Sequence, residues 1–484
     1  MKSICRILYL AIMTVLLAAC SEETGFSVSP LLRLEFSRDT IAFDTIFTTV
    51  GSPTAGLVVY NRNSDGLRIS NARLASGGLS GFNVLVDGQY GASMNNLEIR
   101  AKDSIFVYAS VELERNDANV PLIVEDSLLF TLESGVQQHV TLLAYGRDVT
   151  FLRGENITHD RVIASGHYVV YDSLVVTPDA TLTLEEGVTL YFHDKAYMKV
   201  EGTLVAQGSQ TRPVVMRGDR TDNMFSYLPY DRVPGQWGGV VLTSTSNGNQ
   251  LSFCDIHSAK YGIKVEAGDT AQQRLSILSS KLYNFEGNAL ELNMAHATVE
   301  NSLIANAQGN CVKVVGGNVS FVHCTIANFY VWKQRDVALA LHNSNEGTPA
   351  PLRGALFANC IISGSKEDEI MGYLTTLGDT VPNCINYRFE NSLINTVPSE
   401  DSCFVNISYD NTPYGKNHFR VIDHDNFYYD FHLSSDTIAY GRGSDEYLES
   451  LPYDLDGVLR TAGAVDAGCY QFVEHDKEEG TEKD

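Results

Sequence analysis

A short pattern that recurs from residue 254 onward limits the fold more than any other feature of the chain. Cys254, Ser280, Asn301, Cys324, Cys360 and Asn391 are each followed two residues later by an aliphatic side chain: Ile256, Leu282, Leu303, Ile326, Ile362 and Leu393. The spacings are 26, 21, 23, 36 and 31 residues. A second element keeps step with the first, as Gly262-Ile263-Lys264-Val265, Gly287-Asn288-Ala289-Leu290-Glu291-Leu292 and Gly309-Asn310-Cys311-Val312-Lys313-Val314. A unit of about 22 residues with short apolar runs and no helical periodicity cannot bury a core alone, so neighbouring units must stack. The expected result is a parallel β-solenoid with coils about 4.8 Å apart, right-handed because crossover connections favour that hand. The six recurring small or amide residues are expected at one inward corner as a structural ladder, with asparagines hydrogen-bonding along the axis. The wider spacings put loops that leave the coil near residues 328–354 and 364–386.

Upstream, Ala180-Thr181-Leu182-Thr183-Leu184-Glu185-Glu186-Gly187-Val188-Thr189-Leu190 runs on to Met198-Lys199-Val200-Glu201-Gly202-Thr203-Leu204 and to Gln236-Trp237-Gly238-Gly239-Val240. The end carries Tyr429-Asp430-Phe431-His432-Leu433 and Asp454-Leu455-Asp456-Gly457, with Arg460, Gly463, Asp466 and Gly468. Together these resemble the right-handed parallel β-helix repeat proteins common among Bacteroidota surface lipoproteins. The resemblance implies architecture and leaves activity open, since the fold serves lyases, hydrolases and adhesins alike. Residues 33–150 differ: short alternating runs such as Leu57-Val58-Val59-Tyr60 and Ile105-Phe106-Val107-Tyr108, broken by Gly, Asn, Asp and Ser, indicate an all-β sandwich. Phe43-Asp44-Thr45-Ile46, Asn61, Leu67-Arg68-Ile69, Gly81-Phe82 and the closing His139 to Gly146 follow an order that resembles hydin-type (ASH-like) immunoglobulin modules. The fold class is therefore all-β, an immunoglobulin-like β-sandwich followed by a right-handed parallel β-helix. The expected domains are a signal peptide over 1–19, an acylated linker over 20–32, the sandwich over 33–150, the β-helix over 151–471 and a disordered charged tail over 472–484.

The N-terminus supplies an address. Lys2 and Arg6 precede an apolar run from Ile7 to Leu17, too short to span a bilayer. Leu17-Ala18-Ala19-Cys20 resembles the bacterial lipobox, which implies lipidation of Cys20 and anchoring by several acyl chains. Ser21-Glu22-Glu23 resembles the acidic export tag of Bacteroidota surface lipoproteins, which implies the cell-surface side of the outer membrane. The membrane is thus the first expected partner. The net charge of −24 argues against nucleic acid as another, because phosphate binding needs clustered basic surface. Seven cysteines remain after Cys5 and Cys20, without CxxC spacing, and read as small buried side chains.

Chemistry is sparse. Glu185-Glu186 is an adjacent pair that reads as a solvated turn, and on a strand its side chains would point to opposite faces and could not flank one bond. Lys264, Glu291 and Lys313 occupy equivalent outward positions, a charge ladder in the first instance and a lyase column with a lysine base in the second. His418, His424 and His432, with Asp423 and Asp425, lack metal-site spacing, so no metal is expected. No cofactor is indicated; Ca²⁺ is compatible with the fold but no ligand spacing points to it. Asp454, Asp456, Arg460 and Asp466 are expected to pin the last coil through Arg–carboxylate pairs. Two loops are rich in interface anchors. One carries Tyr227 and Tyr230; the other carries Tyr330 and Trp332, with Arg335 as a polar handle. These are the candidate ligand-binding residues, against the alternative that the aromatics of both loops fold back over the solenoid. The resulting expectation is a non-catalytic binding or adhesion protein for glycan or a surface protein, against the alternative of a polysaccharide lyase or glycoside hydrolase.

Overall fold

The computed structural model describes residues 25–116, 122–345, 347–375, 385–410 and 415–474. The signal segment, Cys20, Cys384 and residues 475–484 lie outside them. Compactness divides the chain into two units, meeting between Asp148 and Val149.

The first unit is a β-sandwich of two five-stranded sheets. One contains Ala55–Tyr60 and Ser104–Val111, the other Thr40–Phe47, Leu67–Leu74 and Leu122–Leu132. Pairing is antiparallel throughout except where Gln137–Arg147 runs parallel to Thr40–Phe47. Alternation does the sorting: Leu57, Val59, Ile105 and Val107 turn inward, while Phe106 and Tyr108 stay exposed. Asn61 is fully buried, and its amide donates to the Asp65, Ile99 and Arg100 carbonyls, fixing the chain where the strand ends.

The second unit is the parallel β-helix: 26 strands form one continuous sheet wound from Thr150–Ile157 to Ser408–Tyr409. Its interior is aliphatic, with a file of rings through the last coils. Phe321, Phe357, Phe389 and Phe404 stack at 4.9 Å from ring to ring, each pair adding about 0.5–1.5 kcal/mol beyond area burial. At the other end of the unit's core, Trp237 stacks on Phe192 at 4.2 Å.

Strand register corrects the expected ladder. Asp255 pairs with Lys281, Lys281 with Leu303, Leu303 with Thr325, Thr325 with Ile361, and Ile361 with Leu393. The column one residue earlier is therefore Cys254, Ser280, Ser302, Cys324, Cys360 and Ser392. Asn301 and Asn391 stand one position before it. Their place is the corner itself, where Phe253, Ser279, Asn301, His323, Asn359 and Asn391 all have φ between 48° and 52°. Asparagine tolerates this left-handed geometry better than most side chains. The small residues after the corner satisfy the backbone there: the Cys254 N–H donates to Ser280 Oγ (3.0 Å), Ser280 N–H to Ser302 Oγ (3.1 Å) and Cys360 N–H to Ser392 Oγ (2.9 Å).

After the last coil the chain folds back along this face. Leu303, Ala305, Ile361 and Leu393 point outward yet are buried, covered by Phe419, Phe431, Leu455, Ala467 and Tyr470. The returning segment docks on the corner asparagines. Ser444 N–H donates to Asn359 Oδ1 (2.8 Å), and Gly468 N–H donates to the Asn359 carbonyl (2.8 Å). Gly468 has φ +95°, and a Cβ there would meet Ile361 and Thr325 at 2.8 Å. Arg460 was expected to pair with carboxylates; instead it donates to Asn301 Oδ1 (2.6 Å) and to the Leu451 and Tyr453 carbonyls. Asp454 accepts backbone N–H groups from Asp456, Val458 and Gln471. Among the described residues no helix is long and apolar enough to cross a membrane.

Candidate functional site

Between the coil face and the returning segment lies a cleft of about 370 Å³. Its floor comes from two successive coils. In Cys254–His257, Cys254 and Ile256 enter the core, so alternation sends Asp255 and His257 outward. In Lys281–Phe285, Leu282 goes in, leaving Lys281 opposite Asp255 and Tyr283 opposite His257. One wall is the loop between strands Val214–Gly218 and Val240–Leu242, which contains a short 3-10 turn, Tyr230–Arg232. Ser258 Oγ holds that turn by donating to the Asp231 carbonyl (2.6 Å). The opposite wall is the hairpin Phe419–Asp423 with Tyr428–Leu433, backed by Tyr470. Arg232 joins the walls, donating to the Asn426 carbonyl (3.3 Å) with its guanidinium 5.0 Å from the centre of the Tyr428 ring.

Two carboxylate–imidazole–carboxylate groups edge the cleft. His257 Nδ1 lies 2.7 Å from Asp255 Oδ1, and its Nε2 lies 2.8 Å from Asp231 Oδ1. Arg217 Nη1 reaches the same Asp231 oxygen at 2.8 Å. Burial works to lower the His257 pKa, but Asp255 and Asp231 outweigh it and raise it to about 9. Burial acts on Asp231 in the opposite sense, yet His257, Arg217 and Arg232 hold it at about 2. The Trp237 indole donates to the His257 carbonyl (2.8 Å), and the Tyr283 ring stacks on the imidazole at 4.8 Å. Across the cleft, His432 Nδ1 contacts Asp430, and Nε2 lies 2.6 Å from Asp456 Oδ2. Burial opposes the proton there too, but Asp430 and Asp456 raise His432 to about 9. Lys281 Nζ stands 3.9 Å from Asp456 Oδ1, and Arg420 Nη1 stands 3.4 Å from Asp430 Oδ2. Both imidazoles are therefore cations at neutral pH with both nitrogens engaged, which suits them to fixing geometry and not to taking a proton.

The residues singled out from sequence scatter. Tyr227 is half exposed on the hairpin above the 3-10 turn and stacks on Phe225 at 5.8 Å. Tyr230 lies under the Arg220 guanidinium at 3.9 Å. The loop around Trp332 is not an open platform. Tyr330 is buried and its pKa rises to about 12 through burial. Trp332 is half-buried, stacked on Phe427 at 4.3 Å. Arg335 is buried in a two-pronged pair with Glu369, at 2.6 and 3.1 Å. Glu369 also accepts from the Ala338 and Lys366 N–H groups, so the pair ties two loops together and offers no handle to a ligand.

Lys264, Glu291 and Lys313 do lie opposite one another on successive strands, but on another face, and none lines the cleft. Burial works to raise Glu291, but hydrogen bonds from Asn293 and Asn288, with the Lys313 and Lys264 charges, hold it below the usual carboxylate range. His418 pairs with Asp410 (2.6 Å) and His424 contacts Tyr429, so the three nearby histidines do not converge. Among the described residues no three His, Cys, Asp or Glu side chains are placed to hold a metal ion. Sequence reasoning missed Asp255, His257 and Asp231. The i, i+2 spacing of Asp255 and His257 on a strand was the available signal, since it puts both on one face.

A family model described as a pectate-lyase-like β-helix domain matches residues 155–275. Among curated proteins, Protein bark beetle of Drosophila melanogaster is 30% identical over 151 residues, covering 28% of this chain and 5% of that protein. The chain thus spans about one-twentieth of the length of the curated relative it matches. Among solved structures, the catalytic unit of a GH87 α-1,3-glucanase from Streptomyces thermodiastaticus is 11% identical, covering 73% of this chain and 87% of that one, with a TM-score of 0.26. A family 28 exopolygalacturonase from Yersinia enterocolitica is 9% identical, covering 73% and 86%, with a TM-score of 0.23. The ASH/PapD-like domain of human CEP192 is 10% identical, covering 26% and 92%, with a TM-score of 0.17. Overlaps this slight carry no argument about activity.

Proposed function

We propose that this chain is a lipid-anchored surface protein of the Bacteroidota type, in which an ASH-like sandwich carries a β-helix that binds glycan without cleaving it. The observation that carries the binding reading is the cleft. It has an exposed aromatic ring, Tyr428, on one wall and a floor of fixed hydrogen-bonding groups, Asp255 and Lys281. A sugar offers an apolar ring face and a rim of hydroxyls, and such a cleft answers both. Its volume suits a short stretch of glycan. The anchor and surface address rest on Leu17-Ala18-Ala19-Cys20 and Ser21-Glu22-Glu23.

The absence of cleavage is argued from the imidazoles, each already committed to two carboxylates. The competing reading, a polysaccharide lyase or glycoside hydrolase, is favoured by the family match at residues 155–275. Calorimetric titration against a panel of oligosaccharides tests the first reading. A binder should be found, and Tyr428→Ala should weaken it about tenfold, the upper end of what one aromatic stack contributes. Incubation with glycan polymers, with and without Ca²⁺, should release no reducing or unsaturated ends. Steady release of such ends would establish the enzyme instead.

A further inference from the structure

The loop that walls the cleft also carries aromatic rings that the cleft does not use. Met224, Phe225 and Tyr227 sit on the small hairpin that pairs Asn223–Phe225 with Leu228–Pro229. They are 40%, 52% and 50% exposed. The Phe225 and Tyr227 rings lie nearly parallel, inclined by 14° with their centres 5.8 Å apart. The hairpin beneath them is firmly held. Leu228 is buried, and the Tyr230 N–H donates to the Asp222 carbonyl (3.0 Å). Arg220 grips the Asp222 carboxylate at 2.6 and 2.7 Å, and Gln236 Nε2 donates to the Tyr230 and Val233 carbonyls. Rings held in place before binding lose little freedom when a ligand arrives.

Two observations choose the occupant. The three side chains offer on the order of 300 Å², well short of the roughly 800 Å² that each partner gives to a stable protein interface. A glycan chain, one sugar wide, needs no more than a ring or two. The hairpin is also continuous with the cleft: Tyr227 stands four residues before Asp231, which lines it, a reach of at most about 14 Å along the chain. Exposed Asn223 and Ser226, on the same hairpin, supply an amide and a hydroxyl for a sugar's rim. We infer that Phe225 and Tyr227 form an outer subsite, where a glycan seated in the cleft lays a further sugar ring, so that the ligand is a chain longer than the cleft. This rests on the glycan reading and adds a length requirement to it.

The test uses the full-length protein and β-1,4-linked ladders of glucose, mannose, xylose and galacturonate, from disaccharide to hexasaccharide. At least one ladder should bind more tightly as it lengthens. Combining Phe225→Ala with Tyr227→Ala should weaken the hexasaccharide of that ladder about tenfold, the scale of one or two ring stacks, and leave its disaccharide unchanged. Tyr428→Ala, inside the cleft, should weaken both lengths alike. The double variant should melt with the parent, because both rings are exposed; a marked fall would make them structural and overturn the inference. Binding that is indifferent to length, or a double variant that binds both lengths as the parent does, overturns it and leaves the glycan reading standing. Self-association that the double variant abolishes, with ladder binding unchanged, gives the rings to a second copy and overturns it too. Failure of every ladder at every length overturns both readings.

Discussion

Asn301 is the most informative position for testing how the returning segment is held. Its side chain is buried, its φ is 50°, its Oδ1 accepts from Arg460 (2.6 Å) and its Nδ2 donates to Ser279 Oγ (3.0 Å). Burial already lowers Arg460 to about 10, so losing an acceptor leaves a charged group poorly compensated. Asn301→Ala forfeits a hydrogen bond to a charged group, about 1.5–3 kcal/mol, and forces a Cβ-bearing residue without a local polar group into the left-handed region, about 1–2 kcal/mol. The expected loss is about 3–4 kcal/mol. Asn301→Gly removes the first interaction without the backbone strain and should lose about 2 kcal/mol. Asn301→Asp keeps an acceptor for Arg460 and tolerates the same φ, so it should stay within about 1 kcal/mol of the parent. Amide hydrogen exchange at Ser444 and Gly468, both of which donate to Asn359, reads the opening of this segment directly. In the alanine variant exchange there should accelerate by about a hundredfold, corresponding to about 3 kcal/mol. Parental exchange in the alanine variant, or equal acceleration in the aspartate variant, would refute the reasoning.

Arg335→Ala strands Glu369 in the interior and should destabilise by about 3–5 kcal/mol, seen as a lower melting temperature; an unchanged melt would return Arg335 to the surface. Trp332→Ala loses one ring stack on Phe427 and should cost about 0.5–1.5 kcal/mol beyond its buried area, with no direct effect on a ligand in the cleft. Stability should depend on pH through the two imidazoles. Their folded pKa of about 9 exceeds the unfolded value near 6.5, so their contribution is complete below about 6.5 and disappears as pH rises through about 9. For the nearly buried His257 the span is about 3 kcal/mol. Asp231 acts at the other end: its contribution is present above about 3.8 and lost as pH falls through about 2. Melting curves across pH should therefore form a plateau that falls on the alkaline side, and His432→Gln should make that fall shallower. Cys20→Ala should abolish incorporation of labelled fatty acid and leave an unprocessed or soluble species; normal labelling would remove the anchor.

The stacked coil was legible because a repeat near 22 residues permits few architectures, and the sandwich because its alternation is clean. The ladder slipped by one residue for a physical reason. At Leu303-Ile304, Ile361-Ile362 and Leu393-Ile394 two aliphatics stand side by side. One faces the core and the other lies under the returning segment, so both positions are buried and alternation no longer marks the inside. The Trp332 loop misled in a related way, because Glu369, the residue that claims Arg335, comes 34 residues later in a loop the repeat does not index. The cleft was illegible for want of proximity: Asp231 and Asp430 come to line one cleft only because an inserted loop and the terminal hairpin stand on either side of one coil face.

The covered strip along Leu303, Ile361 and Leu393 also imposes an order on biogenesis. These residues are synthesised well before Leu455, Ala467 and Tyr470, which cover them. Until those arrive, a growing chain can wind its coils but must hold an apolar band open to water, the kind of surface that invites aggregation or capture by a chaperone. The last-made segment thus acts as a completeness check. A message cut short before Ala439 would yield wound coils with an adhesive side, and quality control could recognise the truncated product by that side alone.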